Sequence, residues 1–132
     1  MSQPFCQEVR DVVIKSAKKF TEVFEGVYLA TEGPRLETKA EIKMFSKFAH
    51  VVGMTLVPEV ILAREKGMCY ASICLVSNMA AGLQEELPAD EIAKIYEKKK
   101  DIVIKIIEEA INEIPKKRKC SCGEAVKKGK IG

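Results

Sequence analysis

Val51-Val52-Gly53-Met54-Thr55-Leu56-Val57-Pro58-Glu59-Val60 joins a short β-branched run to a segment that opens around a proline. The first residues suit a buried strand. Pro58 suits the first turn of a helix, where its missing N–H is no loss, and Gly67 suits the helix end. A strand running into a helix is the repeating unit of an α/β fold. The chain repeats it on either side. Phe5, Val9, Val12, Val13, Ala17 and Phe20 recur at helical spacing, which predicts an amphipathic helix over residues 4–20. Val23 to Thr31 is β-branched and aromatic around Gly26, which predicts a strand. Glu32-Gly33-Pro34-Arg35 breaks it, and Ala40, Met44, Phe45 and Phe48 mark a second helix. Cys69 to Val76 is almost continuously apolar and reads as a strand covered on both faces. A last helix starts at Pro88 and Asp90. It carries the stripe Ile92, Ile95, Tyr96, Ile102, Val103, Ile106, Ile107, Ala110, Ile111 and Ile114, and ends at Pro115. The expected fold class is α/β, a mixed β-sheet flanked by helices.

At 132 residues the chain fits one domain of ordinary size. A hydrophobic fraction of 47% excludes a disordered tail, and a net charge of +3 supplies no strong field for a polyanion. Lys98-Lys99-Lys100 reads as a solvated helix face, and Lys116-Lys117-Arg118-Lys119 as a basic end that suits a helix dipole. No aromatics are interleaved with them, so no nucleic-acid partner is expected. Met68 to Val76 is too short to span a membrane, and Glu8, Arg10 and Asp11 interrupt any secretory core, so the expected location is cytoplasmic. Three strands make a thin sheet with bare edges, so a larger sheet or a partner is expected. Residues 116–132 read as a basic, cysteine-containing and mobile tail.

Five cysteines is an odd count whose spacings match no disulfide framework. Cys69 and Cys74 sit in the apolar run, where a thiol behaves as a small hydrophobe. Cys120-Ser-Cys122 is the one close pair. With no C-x-x-C pair and His50 the single histidine, no metal site is expected. His50 itself reads as a satisfied structural histidine.

Three segments can carry chemistry. In Glu32-Gly33-Pro34-Arg35-Leu36-Glu37-Thr38, the glycine and proline shape a turn that lets Glu37 point into a crevice at a strand end. The plainer reading is an acidic residue in a first helical turn. In Gly53-Met54-Thr55, a hydroxyl and free N–H groups at a helix start suit an oxyanion, with Met54 against a sugar. Alternatively Thr55 is only a cap and Met54 only core. In Ser77-Asn78-Met79-Ala80-Ala81-Gly82, an amide at a strand end suits the edge of a heterocycle, or simply closes an Asx-turn.

Taken together, these segments resemble the purine nucleoside phosphorylase and methylthioadenosine phosphorylase family. The resemblance runs from about Pro4 to Pro115. It rests on Gly-Val-Tyr (26–28), Glu-Gly-Pro-Arg (32–35), Gly-Met-Thr-Leu-Val-Pro-Glu-Val (53–60) and the box at 77–82. It implies that residues 1–115 are the C-terminal half of a phosphorylase domain, a partial phosphorylase fold. It implies phosphorolysis of a purine nucleoside, with inorganic phosphate as co-substrate, no cofactor, and a homotrimer or hexamer. By the same resemblance Met54 packs on the ribose and Thr55 holds the phosphate. Glu37, Asn78, Met79 and Ala80 bind the substrate, and Asn78 is catalytic at the purine edge. A carboxylate only accepts hydrogen bonds, so Glu37 suits the N1–H of a 6-oxopurine and rejects the bare N1 of adenine. Such mismatches can discriminate ~10⁴-fold or more.

Relatives that use ordinary nucleosides place a histidine for the 5′-hydroxyl near the start of the last helix, where this chain has Ile92. An isoleucine suits a methylthio group, which points to 5′-methylthioinosine ahead of inosine and guanosine. Leu36 stands where many relatives place an aromatic against the purine. The family's preceding half, with further phosphate ligands, has no counterpart in these 132 residues. The expectation is therefore a fragment or a truncated relative with little activity alone, or a purine-binding or assembly piece. The Cys-x-Cys ending resembles that of some thermophilic archaeal relatives, where it can be oxidised.

Overall fold

The computed structural model describes residues 2–84 and 89–129. In chain order these form α1 (Gln7–Ala17), β1 (Tyr28–Ala30), α2 (Lys39–Phe45), β2 (Val51–Gly53), α3 (Leu56–Glu65), α4 (Ala89–Glu113), a 3₁₀ turn (Cys122–Glu124) and α5 (Ala125–Gly129). The chain divides into two compact units. One holds Met1–Val23, Leu56–Ile73 and Ile102–Gly132; the other holds Phe24–Thr55 and Cys74–Asp101.

The second of these units holds the sheet. β1 and β2 are parallel, with Tyr28 opposite Val51, Leu29 opposite Val52 and Ala30 opposite Gly53. Parallel neighbours need a crossover, and α2 supplies it. The ladder continues past β1, where the Thr31 N–H donates to the Gly53 carbonyl at 2.9 Å. Tyr28 lies flat over Gly53: a Cβ at that glycine would stand 2.2 Å from the phenol oxygen and 2.9 Å from the ring. The Gly-Val-Tyr and Gly-Met-Thr segments are thus locked by one contact that only glycine permits. Gly53→Ala is expected to cost about 1–3 kcal/mol by overpacking, read as a lower urea midpoint, with the loss recovered in a Tyr28→Ala/Gly53→Ala double variant. The single His50 is structural: its Nδ1 accepts from the Val27 N–H at 3.0 Å.

The other unit is built on helices. Its buried apolar residues are Cys6, Ala17, Leu56, Val60, Ala63, Ile106, Ala110 and Cys122. They come from α1, α3, the second half of α4 and the segment before α5. Gly67 ends the α3 segment at φ +64°, the left-handed conformation that favours glycine. Lys19 pairs with Glu109 and Lys15 with Glu113, fastening α1 to α4 at their exposed edges.

Three sequence expectations are corrected. The run Cys69–Val76 is not a strand, and the described sheet is a two-stranded parallel one, not a mixed one. Hydrophobicity alone does not make a strand, and the run is not covered on both faces: Ile73 and Val76 remain exposed. The first helix begins at Gln7, because Phe5 leaves it to stack on Tyr70 and the Cys6 N–H is taken by the Tyr70 carbonyl. Within the tail, residues 122–129 form the 3₁₀ turn and α5, and α5 packs against α3. Pro88 lies outside the described residues. Among the described residues, no helix is long and apolar enough to cross a membrane.

Candidate functional site

The chain from the C-terminal end of β1 into α2 encloses a cavity of about 410 Å³ lined by Thr31, Glu32, Gly33, Arg35, Glu37 and Glu41. Crevices of this kind are where α/β sheets hold ligands. Thr31 ends the ladder and turns its hydroxyl to donate to Glu37 Oε1. This fixes the half-buried carboxylate while leaving its second oxygen for another donor.

The start of α2 is built to hold this loop still. Thr38 and Glu41 form a reciprocal capping box, with Glu41 Oε2 accepting from the Thr38 N–H at 2.7 Å and Thr38 Oγ1 from the Glu41 N–H at 3.2 Å. Arg35 grips Glu41 through both guanidinium nitrogens, at 2.8 and 2.6 Å. Those bonds, the Arg35 pair first and the Thr38 donors next, lower the Glu41 pKa to about 2. A depressed carboxylate pKa stabilises the fold above the ordinary value of 4.5, and that support is lost as pH falls through about 2. An NMR titration of the Thr38 amide is expected to show its midpoint near 2, and a midpoint near 4.5 would remove the grip from the account.

The pairing also decides the character of the cavity. Arg35 is spent on Glu41, so its charge does not face a ligand as a free cation. Glu32 and Glu37 remain as carboxylates in the lining. Such a wall repels phosphate and attracts N–H donors.

The expected site residues fall at different distances from this cavity. Met54 lies beside the lining without being part of it: a Cβ on Gly33 would lie 3.1 Å from its sulfur. The 77–82 box approaches from the α2 side, where a Cβ on Gly82 would lie 2.8 Å from Lys39 Cγ. Asn78, Met79, Thr55 and Ile92 are not part of the cavity lining. The Asn78 amide is committed within its own box, donating to the Met79 carbonyl at 2.9 Å and accepting from Ser77 Oγ at 2.7 Å. Neither bond is that of an Asx-turn, in which the side-chain oxygen accepts from the N–H two residues on. The Met79 N–H donates to Gln84 Oε1 at 2.6 Å, and Ala80 is half-buried. Thr55 is exposed, immediately before the free N–H groups of α3. Ile92 is half-buried in the first turn of α4, and Leu36 is exposed between Arg35 and Glu37. The sequence reading missed Thr31 and Glu41. A hydroxyl ending a β-branched run, and a Thr-x-x-Glu capping pattern, were the available signals.

The Phosphorylase superfamily model matches residues 1–112. The chain belongs to that superfamily. It is 48% identical over 124 residues to a probable S-methyl-5′-thioinosine phosphorylase of Methanosarcina acetivorans, covering 92% of this chain and 48% of that protein. It is 43% identical to an S-methyl-5′-thioadenosine phosphorylase of Pyrococcus horikoshii, covering 96% and 50%. It is 45% identical to a probable 6-oxopurine nucleoside phosphorylase of Dictyoglomus turgidum, covering 96% and 49%. Among solved structures, methylthioadenosine phosphorylase of Schistosoma mansoni in complex with adenine superposes with a TM-score of 0.80 at 30% identity. The match covers 97% of this chain and 52% of that one. The α/β phosphorylase fold is therefore shown, and the chain spans about half the length of the relatives it matches.

Proposed function

We infer that this superfamily member carries the purine-recognition half of a nucleoside phosphorylase acting on a 6-oxopurine nucleoside, S-methyl-5′-thioinosine in first place. The observation that carries the reading is Glu37, fixed by Thr31 at the strand ends, in a cavity whose arginine is already paired. A carboxylate there accepts from the purine N1–H. Asn78, released from the Met79 carbonyl, would donate to O6 or N7 as electrons move from the breaking glycosidic bond into the purine. Stabilising that charge is the chemical contribution expected of this half. Phosphate, the co-substrate, would approach by Thr55 and form the new bond to the sugar C1′ while Met54 packs on the ribose. Met79 and Ala80 would border the base and Ile92 the 5′-substituent. No cofactor is required by these roles.

The acidic lining supports keeping phosphate away from Glu37. The first-named relative supports methylthioinosine, and the Dictyoglomus protein supports the second reading, an inosine or guanosine phosphorylase. Exposed Phe24 and Leu36 on one unit, and Leu62 and Ile111 on the other, support a further chain, or further copies in a trimer or hexamer, against each. A cytoplasmic site of action belongs to the same proposal. The test is phosphate-dependent purine release by the protein isolated from its native source, with methylthioinosine, inosine and methylthioadenosine compared. Methylthioinosine is expected to be used best, and a clear preference for methylthioadenosine would overturn the base assignment.

A further inference from the structure

We propose that Cys6, Cys69, Cys120 and Cys122 form a tetrathiolate site for a single zinc ion. All four sulfurs lie within 4.8 Å of one another. A zinc ion with sulfur ligands at about 2.3 Å sets them about 3.8 Å apart at the corners of a tetrahedron. Cys69 and Cys120 stand at 3.3 Å and no pair exceeds 4.8 Å, a range that includes that value. Two disulfides require closeness only within pairs. A single ion requires it of every pair, and that is the arrangement present.

The surroundings are built to hold the four thiols in place. The Cys6 N–H donates to the Tyr70 carbonyl at 2.7 Å, which sets the residue before α1 beside Cys69. The Glu8 carboxylate accepts from the Lys119 and Cys120 N–H groups at 3.0 and 3.3 Å. The Cys122 N–H faces the Cys120 sulfur. Cys6 and Cys122 are buried and the other two half-buried, so the site is closed in the manner of a structural ion. Four thiolates around Zn²⁺ leave a net charge of −2. Arg118 meets it, with Nη1 held by the Gly67 carbonyl at 2.7 Å and 4.0 Å from Cys69 Sγ. The donor set is all sulfur, which selects a soft ion over magnesium or calcium. Binding balances as four thiols and Zn²⁺ giving the tetrathiolate and four protons. Sequence spacing concealed the site because the fold, not a C-x-x-C pair, brings the ligands together.

The test uses the full 132-residue chain, expressed with zinc and purified without chelator. Elemental analysis is expected to find about one zinc per chain. Cys122→Ser is expected to lose it, while Cys74→Ser, at the exposed cysteine outside the cluster, is expected to keep it. Because Cys122→Ser removes a buried side chain, a second reading uses the unaltered chain. Cobalt titrated into the reduced, metal-free protein is expected to give intense tetrahedral bands and a thiolate charge-transfer band saturating at one equivalent. Metal-free protein that gives no such bands, protein isolated with iron, or a zinc content equal in Cys122→Ser and unaltered chain would each overturn the proposal.

Discussion

Glu37→Ala is expected to erase the chain's preference for hypoxanthine over adenine, lowering hypoxanthine affinity by about 10–100-fold and leaving adenine affinity nearly unchanged. The magnitude follows from the geometry. Losing a charged acceptor of a buried donor costs about 1.5–3 kcal/mol, which is that range of affinity. The larger discrimination possible in a sealed site is not expected here, because Glu37 is only half-buried and water can reach it. Thr31→Val provides the companion measurement. It removes the hydroxyl that donates to Glu37 but keeps the carboxylate, so selectivity should fall by less than in Glu37→Ala. Isothermal titration with the two free bases reads both variants. Equal losses for both bases in Glu37→Ala would mean that the carboxylate shapes the cavity without reading the purine.

The second large effect concerns catalysis. The 132-residue chain assayed by itself is expected to release purine from methylthioinosine at least about 10²–10³-fold more slowly than a longer relative, the scale of losing a single oxyanion donor. Thr55 is the one phosphate ligand proposed here, and the relatives matched are about twice as long. Mixing the chain with the preceding half of the Methanosarcina protein should restore phosphate-dependent release. Its 48% identity to this chain makes the two surfaces compatible in kind. Ordinary rates from the chain alone would show that it supplies a complete phosphate site from its own residues.

What could be read in the sequence was local. Pro58 in the first turn of α3, Gly67 at its end and the break at Gly33-Pro34 each follow from the backbone preferences of one or two residues, and the structure agrees. The turn bearing Glu37 was legible for the same reason, since glycine and proline fix the chain where the side chain leaves it. Relations across the chain were not legible. Cys69–Val76 has the composition of a strand but does not join the described sheet, which no local pattern could reveal. Thr31 became part of the site only when the parallel register carried it past Gly53. Asn78 was legible as a residue type but not as a geometry: its amide bonds its neighbours Ser77 and Met79 where an outward-facing group was expected. The four cysteines show the limit most clearly, because Cys6 and Cys122 stand near opposite ends of the sequence and meet through helix packing.

The most direct test of the central claim is equilibrium dialysis of the unaltered 132-residue chain against radiolabelled hypoxanthine and adenine, with phosphate present. If Glu37 reads the N1–H of a 6-oxopurine, hypoxanthine is bound about 10–100-fold more tightly than adenine. Tighter binding of adenine, or indifference between the two bases, would contradict the assignment of this chain to 6-oxopurine recognition.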